Sequence, residues 1–380
     1  MSATTEEGGG DLASALGDSW AFRVGVALFG TLAVAGCLLN VAFGVLLQRV
    51  SQWHRNLRTV LIAMSVHCAC LCAYLAGLSI YWLTLLLLRR FSSPPTSSRL
   101  ACFYTRMIPY LSCVQPLMTY LVLLAIERLI ASKQTLAYEA GNRTSKAIGV
   151  FSVVAASNVS AAILIASWVT ILWRGIGDDR LVLCLPAVVA PPFFAEVVIL
   201  ALVASIVVAL SLYWRVLRQN RRRLDDFLLN QKQSSLGERL LFRRHVEVTS
   251  TLIGVVLWHG SMWSLAAGAS GLVAHLWQDN WWFKMDPLWS QLLGVYAHYV
   301  LPAVYCVGHP LLCLGRSPIL RRELRRRMGG ESTQLERERA RWTHCHVELL
   351  EGSAQRRHFE TLEQLWGRAE EGECDMRRQT

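Results

Sequence analysis

The chain has 380 residues, of which 53% are hydrophobic and only 17% are charged. In a typical soluble protein about a quarter of the residues are charged, and here the apolar residues form long runs, so the composition excludes an ordinary soluble fold. The net charge of +11 does not indicate a nucleic-acid-binding protein. The arginines lie between and after the apolar runs, where they suit cytoplasmic loops beside anionic lipid.

Seven apolar runs are near or above the length of about 20 residues that a helix needs to cross a membrane. Spans one to seven are predicted at residues 22–47, 57–88, 102–132, 148–173, 191–217, 246–277 and 288–314. We therefore predict an all-α membrane protein, a multi-pass bundle of seven transmembrane helices. No internal repeat is evident in the sequence, although paired repeats are typical of transporters.

The distribution of lysine and arginine predicts an N-terminus outside the cell and a cytoplasmic C-terminus. In this orientation the inner loops at residues 49–58, 133–146 and 215–244 are all basic, as is the segment after span seven. Most outer segments are acidic or nearly neutral. One outer segment is the exception, since it carries Arg89, Arg90, Arg99 and Arg106. The basic charge of three inner loops and of the tail outweighs this exception, so the predicted orientation stands.

Four parts are predicted along the chain. Residues 1–20 form an extracellular N-terminus without the basic region of a cleavable signal peptide, and residues 21–315 form the bundle. Residues 316–329 are predicted to be an amphipathic juxtamembrane helix on the lipid surface, because arginines alternate there with Ile319, Leu320 and Leu324. The polar and charged residues 330–380 are predicted to be a largely disordered cytoplasmic tail.

The stretch from Cys102 to Glu139 carries the most informative charges. Glu127 and Arg128 follow an apolar run without charge, at the inner end of span three. A charged pair in this position is a functional-site hypothesis, because charge in a membrane helix is costly. We interpret the pair as a switch whose arginine is released when the helices shift and then contacts a cytosolic partner. The alternative is an arginine that snorkels to the membrane edge.

Cys102 and Cys184 both lie on the outer, oxidising side in the predicted orientation. A disulfide between them would tie the start of span three to the outer loop after span four. The alternative is two free thiols at the membrane surface. Most other cysteines lie inside apolar runs, where we expect small buried side chains.

The sequence predicts neither an enzyme nor a cofactor, because it has no Gly-rich phosphate loop and no HExxH or GxSxG pattern. No metal site is predicted either. Cys68, Cys70 and Cys72 would splay around a helix, and the cluster His344-Cys345-His346 stands alone in the tail.

The seven spans, the outer N-terminus, the two outer cysteines and the acidic-arginine pair after span three resemble a G-protein-coupled receptor. Asn40 resembles the polar position in the first helix of that fold. Rhodopsin-like features are missing, since span two has no Asp, Trp258 is not followed by a proline and span seven has no NPxxY. The interval from Cys102 to Arg128 is one residue longer than the rhodopsin pattern. A bulge near Pro109 or Pro116 is predicted to absorb it.

These departures favour a narrower resemblance, to nematode chemoreceptors of the Sra superfamily, with the Sre family slightly preferred over Sra, Srab and Srb. Glu127-Arg128-Leu129-Ile130-Ala131-Ser132 followed by Tyr138-Glu139 looks like the ERxxAT…YE signature of that group. With this resemblance we include Tyr138 and Glu139 in the predicted switch. His309-Pro310-Leu311-Leu312 is similar to the group's HPxL ending, and Leu236-Gly237-Glu238-Arg239 resembles the start of its LSxRYQxxEN motif. The resemblance implies a chemosensory receptor in the plasma or ciliary membrane of sensory neurons. Its implied partners are a small-molecule ligand, a heterotrimeric G protein and membrane lipids.

A ligand is predicted to bind among polar and aromatic groups in the outer halves of the spans. The candidates are Tyr110, Gln115, Glu196, Trp258, His259, Trp263, Gln291, Tyr296 and His298. Glu196 is a lone carboxylate in an apolar run. It could bind a cationic ligand, pair with His298 or an outer-loop arginine, or be protonated. The outer arginine cluster would instead favour acidic ligands. Each aromatic side chain has the alternative role of helix-packing core.

A ligand-gated channel or a small-solute transporter is the alternative function. A transporter should show broken helices in paired repeats, which the sequence lacks. A seven-span odorant channel would typically have its N-terminus inside, against the loop charges.

Overall fold

The computed structural model describes residues 14–50, 53–88, 97–133, 151, 153–156, 158–159, 162, 180–181, 192–229, 236–277 and 287–327. Its main helices are Trp20–Arg49, Arg55–Leu87, Arg99–Cys102, Ile108–Lys133, Pro192–Leu229, Leu236–Trp277, Pro287–Val295, Leu301–Arg316 and Pro318–Arg327. Two π-helical turns, Phe103–Met107 and Tyr296–Val300, connect neighbouring helices into longer ones. The fold is all-helical, as predicted, apart from two strands of two residues each.

Five helices in the described part are long and apolar enough to cross a membrane. They are Trp20–Arg49, Arg55–Leu87, Phe103–Lys133, His245–Ala269 and Leu288–Arg316, and they cover all or most of spans one, two, three, six and seven. Span five lies in the helix Pro192–Leu229. Most of span four lies outside the described residues, and its few described residues are helical.

Spans one and two pack along each other through two regular stripes. The buried residues of span one include Phe22, Val26, Phe29, Ala33, Gly36, Asn40, Phe43 and Leu47. Those of span two include Leu57, Leu61, Met64, Cys68, Leu71, Leu75, Leu78 and Trp82. Both stripes alternate steps of four and three residues, the spacing that lets two nearly antiparallel helices interdigitate. Span one also contacts span seven, and span three contacts span two.

The opposite face of span one is apolar and exposed, with Leu28, Val34, Leu38, Val41 and Val45 outside the core. In water such a surface would be costly, but it suits contact with lipid tails. Helix association in lipid depends on close packing rather than on the hydrophobic effect. The structure provides that packing at Gly36, where an added Cβ would lie 2.8 Å from the Cys72 sulfur.

The two π-helical turns precede prolines in the same way. In span three the Ile108 N–H bonds to the Phe103 carbonyl, and Pro109 follows at once. In span seven the Leu301 N–H bonds to the Tyr296 carbonyl, and Pro302 follows. A proline has no N–H to donate to the carbonyl one turn back, so a wider turn costs less at these positions. The bulge predicted near Pro109 is confirmed.

A short antiparallel strand pair joins two loops. Ser97 pairs with Leu181 and Ser98 with Arg180. The pair lies next to Arg99–Cys102, the helical turn that leads into span three.

Two compact units are distinguished by their internal packing. The first unit comprises Met1–Arg222 and His245–Leu320, and it holds all the described spans. The second comprises Arg223–Arg244 and Arg321–Thr380. In its described part, Glu323 pairs with Arg326 at 3.3 Å and with Arg327 at 3.4 Å on one exposed helix face.

The helix Pro318–Arg327 falls inside the juxtamembrane segment predicted at residues 316–329. Ile319 and Leu320 are buried, whereas Arg321, Arg322 and the three arginines at 325–327 are exposed. Ser317 caps the helix by accepting a hydrogen bond from the Leu320 N–H at 3.3 Å. The four predicted parts of the chain remain a prediction.

Candidate functional site

A buried polar network joins spans three, six and seven. His259 Nδ1 is hydrogen-bonded to the Tyr305 hydroxyl at 2.8 Å, and Nε2 lies 3.4 Å from Met118 Sδ. A thioether has no hydrogen to donate, so Nε2 carries the proton and Nδ1 accepts from Tyr305. His259 and Tyr305 have no exposed surface. One imidazole therefore couples the positions of three helices.

Aromatic rings extend this network in both directions. Trp263 lies 6.1 Å from His259 and 5.6 Å from Tyr305, measured between ring centroids. On the other side the His309 ring lies 6.1 Å from Tyr305 and meets the edge of Phe43 at 5.9 Å. Both His309 nitrogens are buried, and within the described part of the chain neither has a hydrogen-bond partner. Such nitrogens are costly in an apolar core unless water or a ligand reaches them.

Trp258 packs against span seven rather than facing away from it. Its indole lies over Gly308, where an added Cβ would overlap the ring. The Trp258 N–H is buried, and it finds no acceptor among the described residues. Because Trp258, His259 and Trp263 all contact span seven or its neighbours, they form the densest group among the predicted ligand contacts.

A second aromatic group lies toward the start of span three. Tyr110 meets His298 edge-on at 6.2 Å and Tyr299 at 6.5 Å. Tyr299 also packs on Phe29 and Trp82. All of these side chains are buried. Tyr110 and His298, both predicted ligand contacts, are thus neighbours in a layer that joins spans one, two, three and seven.

The remaining candidates lie in different surroundings. Gln115 and Gln291 are buried, and within the described part the Gln291 side-chain oxygen has no hydrogen-bond partner. Tyr296 faces span one: its hydroxyl donates to the Ala21 carbonyl at 3.2 Å, and its ring packs on Gly25. Glu196 lies on the helix Pro192–Leu229, and its side chain lies outside the described residues.

Glu127 and Arg128 form a buried ion pair near the opposite end of span three. Arg128 Nε and Nη2 donate to the two carboxylate oxygens of Glu127, each at 2.5 Å. Only 3% of the Arg128 side chain and none of Glu127 is exposed. Two parallel charge-assisted hydrogen bonds hold both groups in one geometry. In the structure the Arg128 guanidinium is therefore buried against Glu127.

Span five supplies the neighbours of this pair. Tyr213 is fully buried and lies close enough to interact with the charges of both Glu127 and Arg128. One turn beyond the pair, the Ser132 hydroxyl donates to the Asn220 side-chain oxygen at 2.6 Å. Tyr213 and Asn220 were not among the predicted site residues. In the sequence each is a polar side chain in or beside an apolar run, and this was the signal that could have indicated them. Tyr138 and Glu139, predicted as part of the same switch, lie outside the described residues.

Cys102 is disulfide-bonded. The predicted partner, Cys184, lies outside the described residues. The strand pair brings Arg180 and Leu181 beside Ser97 and Ser98, and so brings the segment before Cys184 close to the segment before Cys102.

Among the described residues, no group of three or more metal-binding side chains is arranged to hold a metal ion. Cys68, Cys72 and Cys306 nevertheless meet in the core, since the Cys306 thiol lies within hydrogen-bond reach of the other two. Asn40 contributes nearby by donating to the Cys306 carbonyl at 2.7 Å and to the Gly36 carbonyl at 2.8 Å. These contacts fasten span one to span seven.

Comparison with known families gives one match. The family model described as "Serpentine type 7TM GPCR receptor class ab chemoreceptor" matches residues 15–273. This is more than half of the chain, and it includes the Glu127-Arg128 pair, Cys102 and most of span six. The slight preference for the Sre family is not confirmed, because the matching family is class ab. No curated protein matches the chain.

Proposed function

Because the chain belongs to the serpentine class ab family of seven-transmembrane G-protein-coupled chemoreceptors, we propose that separate groups of its residues bind the ligand and signal to the G protein. A small environmental or pheromone chemical binds in the outer half of the bundle. The chain then signals through a heterotrimeric G protein from the plasma or ciliary membrane of a sensory neuron. The observation that carries this proposal is the buried Glu127–Arg128 pair, which holds a cation ready for release at the inner end of span three.

Ligand contact is assigned to predicted groups in the outer half of the bundle, Tyr110 and His298, whose rings meet in the buried layer of spans three and seven. His259 and Tyr305 lie deeper, near the middle of spans six and seven, and join these helices below the ligand. A pocket of this kind, mainly apolar with a few polar anchors, suits a small organic molecule. A ligand that moves span six would pull His259 away from Tyr305 or Met118, and so would bias the helix arrangement.

Signal output is assigned to the inner end of span three. When the helices shift, Arg128 can exchange Glu127 for a cytosolic acceptor, and the nearby Tyr213 hydroxyl can support the released guanidinium. The basic inner loops and the arginines of Pro318–Arg327 are positively charged and would attract an acidic partner surface and anionic lipid.

The orientation that this function requires places the N-terminus outside and the C-terminus inside. The basic inner loops support it, and so does the disulfide at Cys102, because disulfides persist on the oxidising side. We assign Cys184 as the partner of Cys102, since the strand pair aligns the two preceding segments. An epitope tag at the N-terminus should be accessible to antibody on intact cells. A tag that is reached only after permeabilisation contradicts this orientation.

The function is tested with Arg128→Gln in cells that report second messengers. Once a screen has found an agonist, Arg128→Gln should reduce the maximal response at least tenfold while the receptor still reaches the cell surface. Lys133→Gln is the matched control, because Lys133 is an exposed cation at the end of the same helix. An agonist current that needs no G protein and survives Arg128→Gln would instead favour the ligand-gated channel.

A further inference from the structure

Arg106 is a half-buried arginine of span three whose guanidinium stacks on a tyrosine ring. Its guanidinium carbon lies 4.7 Å from the centre of the Tyr81 ring. Within the described part of the chain, no carboxylate pairs with it. Arg23, by contrast, donates to the Gly17 carbonyl at 2.8 Å and pairs with Asp18 at 3.6 Å. Arg128 has Glu127.

The backbone around Arg106 is held in place. Arg106 lies in the π-helical turn Phe103–Met107, and its carbonyl accepts a hydrogen bond from the Tyr74 hydroxyl at 3.2 Å. Tyr74 and Tyr81 are seven residues apart on span two, so they lie two turns apart on one face. A π turn changes which face of span three Arg106 occupies, compared with a regular helix. The turn therefore helps to set the position of this cation against span two.

The Tyr74 hydroxyl lies within hydrogen-bond reach of the Arg106 guanidinium, and among the described residues no other partner of its N–H groups is found. Stacking on Tyr81 uses the flat face of the guanidinium, whereas its N–H groups point outward in the plane. A carboxylate or a phosphate fits that edge with two parallel hydrogen bonds. The surroundings are open, because Tyr81 is 39% exposed and Tyr104 47% exposed. Leu87 and Leu88, at the end of span two, add exposed apolar surface.

We propose that Arg106, supported by Tyr81, is the anchor of an anion-binding site between spans two and three, and that it takes the carboxylate or phosphate of an amphipathic molecule. The charged head binds the guanidinium edge, and the apolar part lies on the exposed tyrosine and leucine side chains. An arginine near the end of a membrane helix is costly when it has no carboxylate partner, as is the case for Arg106 among the described residues, and such an anion removes most of that cost. In the proposed orientation the site lies at the outer surface, so the anion comes either from an outer-leaflet lipid or from a free acidic ligand.

Binding is measured on the purified full-length chain in dodecyl maltoside, a detergent without anionic groups. Decanoate is the free probe, methyl decanoate its neutral control, and phosphatidylglycerol the lipid probe. The dissociation constant of decanoate follows from the shift of the thermal unfolding midpoint with concentration. Native mass spectrometry counts the retained phosphatidylglycerol. Tight decanoate binding identifies a free acidic ligand as the occupant, and retention of phosphatidylglycerol alone identifies a lipid.

Arg106→Gln should weaken whichever anion binds by about tenfold or more, because it removes a charge-assisted pair of hydrogen bonds. Arg23→Gln is the matched control and should leave binding unchanged, since Arg23 already has partners. Tyr81→Leu keeps the charge but removes the ring, and should weaken binding about threefold. This second variant decides the question if Arg106→Gln does not fold.

Three results overturn the proposal: unchanged anion affinity in Arg106→Gln, equal binding of decanoate and its methyl ester, or no binding of either anion. The test uses no G protein and no signalling readout, and the site does not include the His259 network. Its failure would leave the proposed receptor function standing, and loss of G-protein coupling would leave this site standing.

Discussion

Spans one and two differ from spans three and seven in how regular they are. The first two are uninterrupted helices whose buried residues follow one repeating step. Spans three and seven each contain a π-helical turn and internal prolines. Several groups of the candidate site, including Met118, Arg128, Tyr305 and His309, lie on these two irregular spans. The comparison indicates a rigid scaffold in the first pair and the adjustable parts of the receptor in the second.

The largest effect should come from breaking the ion pair on span three. Glu127→Gln leaves Arg128 buried beside a neutral group, and losing one partner of a buried pair costs about 3–5 kcal/mol of the free energy of unfolding. Glu323→Gln is the control, because its pairs with Arg326 and Arg327 are partly exposed and should be worth less than about 1 kcal/mol. Denaturant titration of the purified receptor in micelles measures both. Equal losses in the two variants would contradict the role of burial.

A smaller effect should come from filling the close contact between spans one and two. Gly36→Ala places a Cβ 2.8 Å from the Cys72 sulfur and should destabilise the bundle by about 1–3 kcal/mol. Gly77→Ala is the control on span two, since a Cβ there meets nothing within 4 Å. It should be neutral, or stabilising by up to about 1 kcal/mol, because alanine favours helix. If Gly36→Ala were as stable as Gly77→Ala, the packing of spans one and two would be looser than described.

The smallest effect should come from one hydrogen bond in the network of span seven. Tyr305→Phe removes the hydroxyl that donates to His259 and should cost about 0.6–1.7 kcal/mol, the range found for hydrogen bonds between membrane helices. Tyr120→Phe is the control, because the Tyr120 hydroxyl is buried and has no partner in the described part of the chain. That variant should lose nothing measurable. A double-mutant cycle with His259→Phe should give a coupling of the same size, and zero coupling would exclude the bond.

The regular part of the fold was predictable from sequence. The apolar runs of spans one and two were long, and each formed a single helix close to its predicted bounds. The bulge near Pro109 was also predictable, because one surplus residue had to be absorbed beside a proline. The π-helical turn before Pro302 also lies next to a proline. No surplus residue in span seven indicated a bulge there, and the turn was not predicted.

The partners inside the candidate site could not be predicted. In a span that is apolar all round, the sequence does not tell which face meets which neighbour. His259 and Trp263 were chosen for their chemistry, but Tyr305 and Met118 became visible as partners only in three dimensions. Tyr296 was chosen by the same reasoning, and the structure places it against span one. The Glu127–Arg128 pair was visible because its members are adjacent, whereas Tyr213 lies 85 residues further along the chain.

Agonist-stimulated nucleotide exchange tests the central claim most directly. The purified receptor is reconstituted with a heterotrimeric G protein, and the exchange rate on the G protein is measured with and without an agonist from the cell screen. The account predicts a rate that rises with agonist in the unmodified receptor and does not rise in Arg128→Gln, whose agonist binding is retained. The same agonist opening a conductance in bilayers without G protein, with no change in exchange, would contradict it.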